Sequence, residues 1–314
     1  MRKLLVAQYR VGLEPIAHTY SIIAFDPRAH EMGVAVQSHY FSVGTAVPWA
    51  EAGVGVVATQ AMVNKSFGPR GLKMLKKGLS ARKVVDKLVQ SDKGRDGRQL
   101  AVVDAKGRIA AYTGKNCISA AGHIVGKTCS VQANMMLNKK VWPAMLRSFE
   151  KARGPLAERM LAALEAAQKA GGDIRGSQSA AMIVVRIRSS GKAWEDRLID
   201  LRVDDSQEPL VELRRLLSIH RAYEHCSRSD LAIEKGDMKL YLKHISAAER
   251  ICPDNEEIRF WHAVALVDKG MYREALPLFR EVFGENDNWR ELLRRLVPLG
   301  LNVDDKRMKE ILRQ

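Results

Sequence analysis

The stretch TYSIIAFDPRAHEMGVAVQS, residues 19–38, decides the fold class of the N-terminal part of this chain. Its first part, residues 19–26, is rich in β-branched and aromatic residues, and residues 27–30 have the composition of a turn. The second part, residues 31–37, alternates small and apolar residues. Two such runs around a short turn predict a β-hairpin, so the chain is expected to enter an antiparallel sheet at Thr19.

The segments after this hairpin extend the pattern into a mixed fold. Residues 53–59 are almost all apolar and predict a strand buried on both faces, and residues 43–50 predict another strand. In the helix predicted at 80–90, Ser80 is the expected N-cap. The other predicted elements are helices at 69–77, 141–153 and 155–170 and strands at 99–104, 108–113, 179–187 and 197–203. This order predicts an α+β domain whose two central sheets have helices outside them.

The last third of the chain contains an internal repeat. Five positions recur with a spacing of 34 residues, the tetratricopeptide period. They pair Gly236 with Gly270, Met238 with Tyr272, Tyr241 with Ala275, Ile245 with Phe279 and Ala248 with Val282. Two repeat units, with flanking helices predicted at 210–217 and 289–296, are fewer than the roughly three that such arrays need. The all-α helical-repeat tail is therefore expected to pack on the first domain or on a second subunit, or to recruit a protein partner.

The predicted organisation has three parts with different charge. Residues 1–18 are an N-terminal extension or propeptide, residues 19–205 form the α+β domain, and residues 206–314 form the helical tail. The chain has a net charge of +15, and residues 206–314 carry 19 Lys/Arg and 19 Asp/Glu. The whole excess therefore belongs to residues 1–205. A basic domain is typical of proteins that bind nucleic acids or anionic ligands, although a solvated basic surface is the commoner explanation.

The sequence also indicates the cellular compartment. The apolar run at residues 4–7 is shorter than the ~7–15 residues of a signal peptide, and no run of ~18 apolar residues predicts a membrane span. The four cysteines form no Cys-x-x-Cys pair and no disulfide framework. We therefore expect a cytoplasmic protein with reduced thiols and no contact with membranes.

Nine short motifs along residues 19–217 form a recognisable series. They are TYSIIA (19–24), GVAVQS (33–38), GVGVVATQA (53–61), Arg98-Gln99, Thr113-Gly114, Gly122-His123, Val131-Gln132 with Asn134, GGDIRGSQSAA (171–181) and DLRVD (200–204). This series resembles the domain-of-unknown-function family numbered 1028, which is grouped with the N-terminal-nucleophile (Ntn) hydrolases. The chain departs from the family in two ways, because members usually carry glycine where Ala133 stands and because residues 1–18 precede Thr19.

The resemblance implies a four-layer αββα sandwich and a particular nucleophile. Ntn hydrolases use the first residue of the mature chain as nucleophile and its α-amine as general base, and Thr19 matches that residue. An α-amine has a pKa near ~7.7–8.0, so part of it is neutral at physiological pH and can accept the hydroxyl proton. While residues 1–18 are attached, that nitrogen is in a peptide bond. The alternatives are self-cleavage between His18 and Thr19, a natural start at Thr19, or an inert copy in which Thr19 is an ordinary strand residue.

Further site residues follow from the same resemblance. Gln60 and Ala61, at the end of a buried strand, are implied to border the oxyanion hole, with Thr59 beside them. The substrate pocket is implied to include Gln37, Ser38, Asn134, Asp173 and Arg175. Strand-end hydrogen bonding is an equal explanation for Gln37 and Ser38. Asp173 and Arg175 are either a structural ion pair or a site for a substrate carboxylate.

Other site types have little support in the sequence. Cys117, His123 and Cys129 lack a fourth ligand and match no standard zinc spacing, so no metal is predicted. The chain has no Walker A loop, no dinucleotide-binding fingerprint and no His-Glu-x-x-His, so no cofactor is predicted. The basic stretch 65–98 has Phe67 as its single aromatic residue, which argues against specific nucleic-acid binding.

The function expected from these observations is an amidohydrolase or related acyl-transfer enzyme acting on a small molecule, and the basic domain favours an anionic one. The alternative is a non-catalytic ligand-binding or scaffold protein that keeps the pocket and recruits a partner through residues 206–314. A homo-oligomer is expected in either case, since two repeat units need further packing.

Overall fold

The computed structural model describes residues 16–314, with side chains from Ala17 onward. The strands are β1 (Ile16–Ala17), β2 (Thr19–Asp26), β3 (Glu31–Ser38), β4 (Pro48–Glu51), β5 (Gly55–Met62), β6 (Arg98–Asp104), β7 (Ile109–Thr113), β8 (Gly122–Val125), β9 (Cys129–Ala133), β10 (Ser179–Arg186) and β11 (Arg197–Val203). The helices are α1 (Phe67–Lys76), α2 (Ala81–Gln90), α3 (Val141–Lys151), α4 (Leu156–Lys169), α5 (Ala193–Asp196), α6 (Pro209–Glu234), α7 (Met238–Ile251), α8 (Glu256–Asp268), α9 (Tyr272–Glu285), α10 (Asn288–Leu296) and α11 (Asp305–Ile311).

The strands form two antiparallel sheets, as the mixed α/β pattern predicts. The first sheet has the order β1-β5-β6-β7, and β4 also pairs with β5. The second sheet has the order β11-β10-β3-β2-β9-β8. The predicted hairpin is confirmed, because β2 and β3 pair from Thr19 opposite Ser38 to Asp26 opposite Glu31. The Asp26 carboxylate stabilises the turn by accepting hydrogen bonds from the backbone N–H groups of Arg28 and Ala29.

Apolar side chains on alternating strand positions place the core between and beside the sheets. One buried cluster joins β2, β3 and β10 to β5 and β6, and includes Ile23, Val36, Ile183, Val56 and Val103. A second cluster lies between the other face of β5 and β6 and the helices α1 and α2. Helices α3 and α4 contact β2, β3 and β9 of the second sheet. The first sheet therefore has helices on one face and the second sheet on the other.

Two parts of the predicted fold differ from the structure. Residues 43–50 are not one strand, because Val43–Thr45 form a 3-10 turn before β4 begins at Pro48. The turn is stabilised by hydrogen bonds that a strand would not make, from the Thr45 hydroxyl to Ser42 O and from Val43 N–H to Ser179 Oγ. Strands β8 and β9 were not predicted, since they are only four and five residues long and mix polar with apolar residues.

In the helical region, several positions that the 34-residue spacing matches are buried. Tyr241, Ile245 and Ala248 of α7 are buried, as are Ala275, Phe279 and Val282 of α9, the residues that the 34-residue spacing matches to them. The chain divides into one unit that ends at Leu216 and a second unit, Leu217–Gln314. This boundary lies later than the predicted 205/206, because Leu210 and Leu213 are buried and Arg214 pairs with Glu165 of α4 at 2.6 Å. Within residues 16–314, no helix is long and apolar enough to cross a membrane.

Candidate functional site

Thr19 lies at the start of β2, inside the second sheet and facing the first. It pairs with Ser38 of β3 on one side, and Asn134 N–H donates to Thr19 O from the other side at 3.1 Å. The next residue on the same face, Ser21, donates to Gln60 Oε1 of the first sheet at 2.5 Å. Thr19 has 0% exposed surface. The candidate nucleophile is therefore held between the two sheets and is closed to solvent in the uncleaved chain.

A chain of hydroxyl groups connects Thr19 to the peptide bond before it. Thr19 Oγ1 lies 2.7 Å from Ala17 O and 3.2 Å from Ser38 Oγ, either of which can accept its proton. Ser38 Oγ donates to His18 O at 2.5 Å. The predicted neighbour Ser38 thus lies between the hydroxyl of Thr19 and the carbonyl that Thr19 would have to attack.

The glycine-rich loop 171–178 supplies a second donor to the same carbonyl. Arg175 Nη2 donates to His18 O at 2.9 Å and to Asp173 Oδ2 at 2.7 Å. The Asp173 side chain has 0% exposure and also accepts from His39 N–H at 3.4 Å. Asp173 and Arg175 therefore form an ion pair, and the Nη2 atom that takes part in it also reaches the carbonyl of the His18–Thr19 bond. Two preorganised donors on one carbonyl oxygen are the arrangement that stabilises an oxyanion.

Three amide side chains hold the backbone of Thr19 from the opposite side. Gln60 Nε2 donates to Thr19 O at 3.2 Å, and Asn134 Nδ2 lies 3.4 Å from the same oxygen. Both amide groups also donate to Gln99 Oε1, at 2.7 and 2.9 Å. In this structure the Gln60 amide therefore holds the backbone of Thr19 and makes no contact with His18 O. Gln99 was not predicted, although a glutamine directly before the apolar residues of β6 is a usable signal, because a buried amide needs partners.

His18 fills a recess beside this amide group. It is 1% exposed, its Nδ1 lies 2.5 Å from Asn134 Oδ1, and its Nε2 is buried without a hydrogen-bond partner in the described chain. Burial lowers the pKa of His18, the hydrogen bond to Asn134 opposes that shift, and the charge of Arg175 adds to it. The imidazole is therefore held neutral, with Nδ1 as the donor to Asn134. The sequence predicts no role for His18 other than its position before Thr19.

Three predicted residues lie elsewhere or have another role. Gln37 lies between Val36 and Ser38, which face the first sheet, so its side chain points to the α4 side. The Thr59 hydroxyl donates to Asn64 O at 3.3 Å, away from Thr19. Ala61 has a φ of 71° and pairs with both Ala17 and Arg98. The structure thus brings Ser38, Gln60, Asn134, Asp173 and Arg175 to Thr19, but neither Gln37 nor Thr59.

Both cysteines of the first unit are protonated thiols. Burial raises the pKa of Cys117 to about 11 and that of Cys129 to about 12. His123 instead contacts Thr113 through Nδ1 at 2.8 Å. Across residues 16–314, no group of three or more His, Cys, Asp or Glu side chains is arranged to hold a metal ion.

A second candidate site lies in the helical unit, in a groove of about 640 Å³ between α6, α7 and α8. Its wall includes Trp261, which is 44% exposed, and the buried Tyr241, whose hydroxyl has no hydrogen-bond partner in the described chain. Four carboxylates border the groove, on Asp230, Glu234, Glu257 and Asp268. One cation, Lys269, lies among them and pairs with Asp268 at 3.2 Å. Burial, and after it the charge of Glu234, raises the pKa of Asp230.

Comparisons with known proteins assign the first unit to a family whose function is unknown. A family model described as "Family of unknown function (DUF1028)" matches residues 19–213. A similar solved structure is a crystal structure of a Silicibacter pomeroyi protein that carries the same family model. Its identity to this chain is 30% and its TM-score 0.58, and the alignment covers 64% of this chain and 88% of that one. No curated protein matches the chain.

Proposed function

The chain belongs to DUF1028, a family of unknown function, and we propose that it is an Ntn-type amide hydrolase that activates itself by cleaving its own His18–Thr19 bond. One observation carries the proposal: His18 O accepts hydrogen bonds from Ser38 Oγ and Arg175 Nη2, while the Thr19 hydroxyl lies beside Ser38. An ordinary strand peptide bond does not need a buried serine and a guanidinium on its carbonyl. This arrangement is what an oxyanion at His18 would need.

The fold supports the same proposal. Helices α1 and α2, the first sheet, the second sheet and helices α3 and α4 follow one another in space, which fits the four-layer αββα sandwich of the Ntn hydrolases. In that fold the nucleophile begins a strand of a central sheet, and Thr19 begins β2. The cytoplasmic location remains part of the proposal.

The self-cleavage step balances without a co-reactant other than water. Thr19 Oγ attacks the carbonyl carbon of His18, an Oγ–C bond forms, and the C–N bond to Thr19 breaks. The hydroxyl proton is transferred to the Thr19 nitrogen, which becomes the α-amine. Water then hydrolyses the ester, which releases residues 1–18 with a carboxylate on His18 and restores the Thr19 hydroxyl.

The released α-amine completes the enzyme. In its neutral form it accepts the Thr19 hydroxyl proton while Oγ attacks a substrate amide, and it returns that proton to the leaving amine. Ser38 and Arg175 remain as donors to the substrate oxyanion, and Gln60 and Asn134 keep the backbone of Thr19 in place. The direct test is intact mass of the purified protein, which should begin at Thr19. A stable chain that keeps residues 1–18 and hydrolyses no amide would contradict the proposal.

Electrostatic capture of anionic substrates gives a separate prediction. Six of the seven ionisable residues of α1 and α2 are Lys or Arg, although Lys76 pairs with Glu51 at 2.6 Å and Arg82 with Asp86 at 3.0 Å. Cleavage of an anionic amide should slow as ionic strength rises, because exposed charges are screened beyond ~10 Å at about 0.1 M salt. A matched neutral amide should be insensitive to salt. Equal salt dependence for the pair would show that the basic surface is only solvated.

The groove of the helical unit supports a second candidate function, the binding of a cationic peptide. The 34-residue spacing fits a tetratricopeptide-like unit, and the charges of the groove select the ligand. Carboxylates of Asp230, Glu234 and Glu257 would pair with Lys or Arg side chains, and Trp261 would cover their aliphatic stems. This function is compatible with hydrolysis by the first unit. If the first unit were inert, peptide binding in this groove would give the chain the function of a scaffold protein.

Calorimetry on the full chain tests this groove. The peptide Ac-Ala-Lys-Leu-Arg-Ala-amide should bind, and its counterpart with Glu in place of Lys and Arg should not. Trp261→Ala and Asp230→Asn should each weaken binding by roughly 10-fold, as expected for groups at the centre of an interface. Trp194→Ala, which removes a 78% exposed tryptophan of the first unit, is the matched control. Equal affinity for the two peptides would rule out charge recognition in the groove.

A further inference from the structure

The uncleaved chain contains its own ligand at Thr19. Ala17 and His18 have 0% and 1% exposed surface, and Thr19 beneath them has 0%. The Thr19 hydroxyl contacts Ala17 O at 2.7 Å, and Ser38 and Arg175 bind His18 O. Access to Thr19 therefore requires the departure of these residues, and the space they leave has the shape of a short peptide.

The backbone of this segment is held as a strand. β1 pairs antiparallel with the end of β5, Ile16 opposite Met62 and Ala17 opposite Ala61. On the same edge of β5, β4 covers the residues from Gly55 to Ala58. Loss of residues 1–18 would leave the edge of β5 unpaired at Ala61 and Met62. An unpaired edge of this kind binds an extended peptide by adding it as a strand.

The side chain before the scissile bond also has a formed recess. Asn134 Oδ1 lies 2.5 Å from His18 Nδ1, and Gln99 and Thr19 O hold the other end of the Asn134 amide in place. His18 Nε2 is buried without a partner in the described chain, and burial lowers the imidazole pKa. The recess therefore favours a neutral, planar group that donates one hydrogen bond to Asn134.

We infer that the substrate of the mature site is a peptidyl amide, bound as a strand on β5 with a neutral imidazole or a similar planar donor before the scissile bond. This inference rests on the proposed function. Self-cleavage passes through an ester between Thr19 Oγ and the carbonyl of His18, and hydrolysis of a peptide ending in Ala-His-amide passes through the same acyl group on the same oxygen. The site that cleaves the chain is thus built to hold this acyl group.

Three fluorogenic amides of 7-amino-4-methylcoumarin test the inference on protein whose intact mass begins at Thr19. Ac-Ile-Ala-His-amide carries both features, Ac-Ile-Ala-Leu-amide lacks the imidazole, and His-amide lacks the strand. We expect kcat/KM for the first to exceed each of the others by at least ~10-fold. Asn134→Ala should bring the His-to-Leu ratio close to one. Ser148→Ala, which removes a hydroxyl of α3 that donates to Ala162 O, should leave the ratio unchanged.

The outcomes separate this inference from the proposed function. Preference for Ac-Ile-Ala-His-amide, lost in Asn134→Ala, supports the peptide site. A chain that begins at Thr19 but cleaves the three amides equally, or cleaves none of them, overturns the peptide site and leaves self-cleavage standing. A chain that still carries residues 1–18 overturns both.

Discussion

Thr19→Ala is expected to leave the purified chain at full length, with residues 1–18 attached, and to abolish amide hydrolysis. The substitution removes the hydroxyl that is proposed to attack the carbonyl carbon of His18. Thr19→Ser is the matched control, because it keeps Oγ at the same position and should still yield a chain that begins at residue 19. Intact mass, followed over time after purification, measures both.

Thr19→Ala should not change the fold of the chain. The hydroxyl contacts Ala17 O and Ser38 Oγ, while the backbone of Thr19 is held by pairing with β3 and by Gln60 and Asn134. The variant should therefore fold, and circular dichroism and thermal unfolding should show it. A folded Thr19→Ala chain that is still cut between His18 and residue 19 would mean that another protease makes the cut, and the nucleophile assignment would be wrong.

Much of the first unit could be predicted from the sequence, because local patterns decide it. The β-rich run at 19–26, the turn at 27–30 and the alternation at 31–37 predict the β2–β3 hairpin, and the apolar run in β5 predicts a strand covered on both faces. The N-cap of α2 is also confirmed, since Ser80 Oγ accepts from Lys83 N–H. In each case, the residues that make the prediction are neighbours in the sequence.

The site could be predicted only in part, because its contacts join distant residues. Arg175 and Asp173 were singled out as a charged pair in a glycine-rich loop, but the target of Arg175, His18 O, lies 157 residues away. The family resemblance implies that Gln37 lies in the pocket together with Ser38. Neighbouring residues of a strand point to opposite faces of the sheet. Ser38 therefore reaches Thr19, whereas Gln37, one position earlier, faces α4.

The roles of Gln60 and Ala61 illustrate a second limit. Their position at the end of a buried strand indicated oxyanion donors. In the uncleaved chain, however, Ala61 pairs with strands on both sides, and the Gln60 amide donates to Thr19 O and Gln99 Oε1. The donors on the His18 carbonyl come instead from Ser38 of β3 and from Arg175 of the loop before β10. The sequence alone could not predict which side chains donate to the His18 carbonyl, because this depends on which strand ends meet between the two sheets.

The Ser38 hydroxyl carries the second large expected effect. Ser38→Ala should slow self-cleavage by roughly 10²–10³-fold, the usual loss when one oxyanion donor is removed, which corresponds to about 2.7–4 kcal/mol of transition-state stabilisation. The same change also removes the group that lies between the Thr19 hydroxyl and His18 O, at 3.2 and 2.5 Å. The rate is measured by intact mass at intervals after purification, with Ser148→Ala as a control for the loss of a hydroxyl outside the site.

Of the two residues that donate to His18 O, Ser38 is easier to test by substitution than Arg175. Replacing Arg175 by Ala would leave the Asp173 carboxylate, which has 0% side-chain exposure, without its ion-pair partner, and removing one partner of a buried pair costs about 3–5 kcal/mol of stability. A slow Arg175→Ala chain would therefore not separate misfolding from lost catalysis. Ser38→Ala leaves Asp173 and Arg175 paired and leaves Arg175 on His18 O, so a residual rate should remain. Cleavage of Ser38→Ala at the rate of the unaltered chain would show that the hydroxyl only joins β2 to β3.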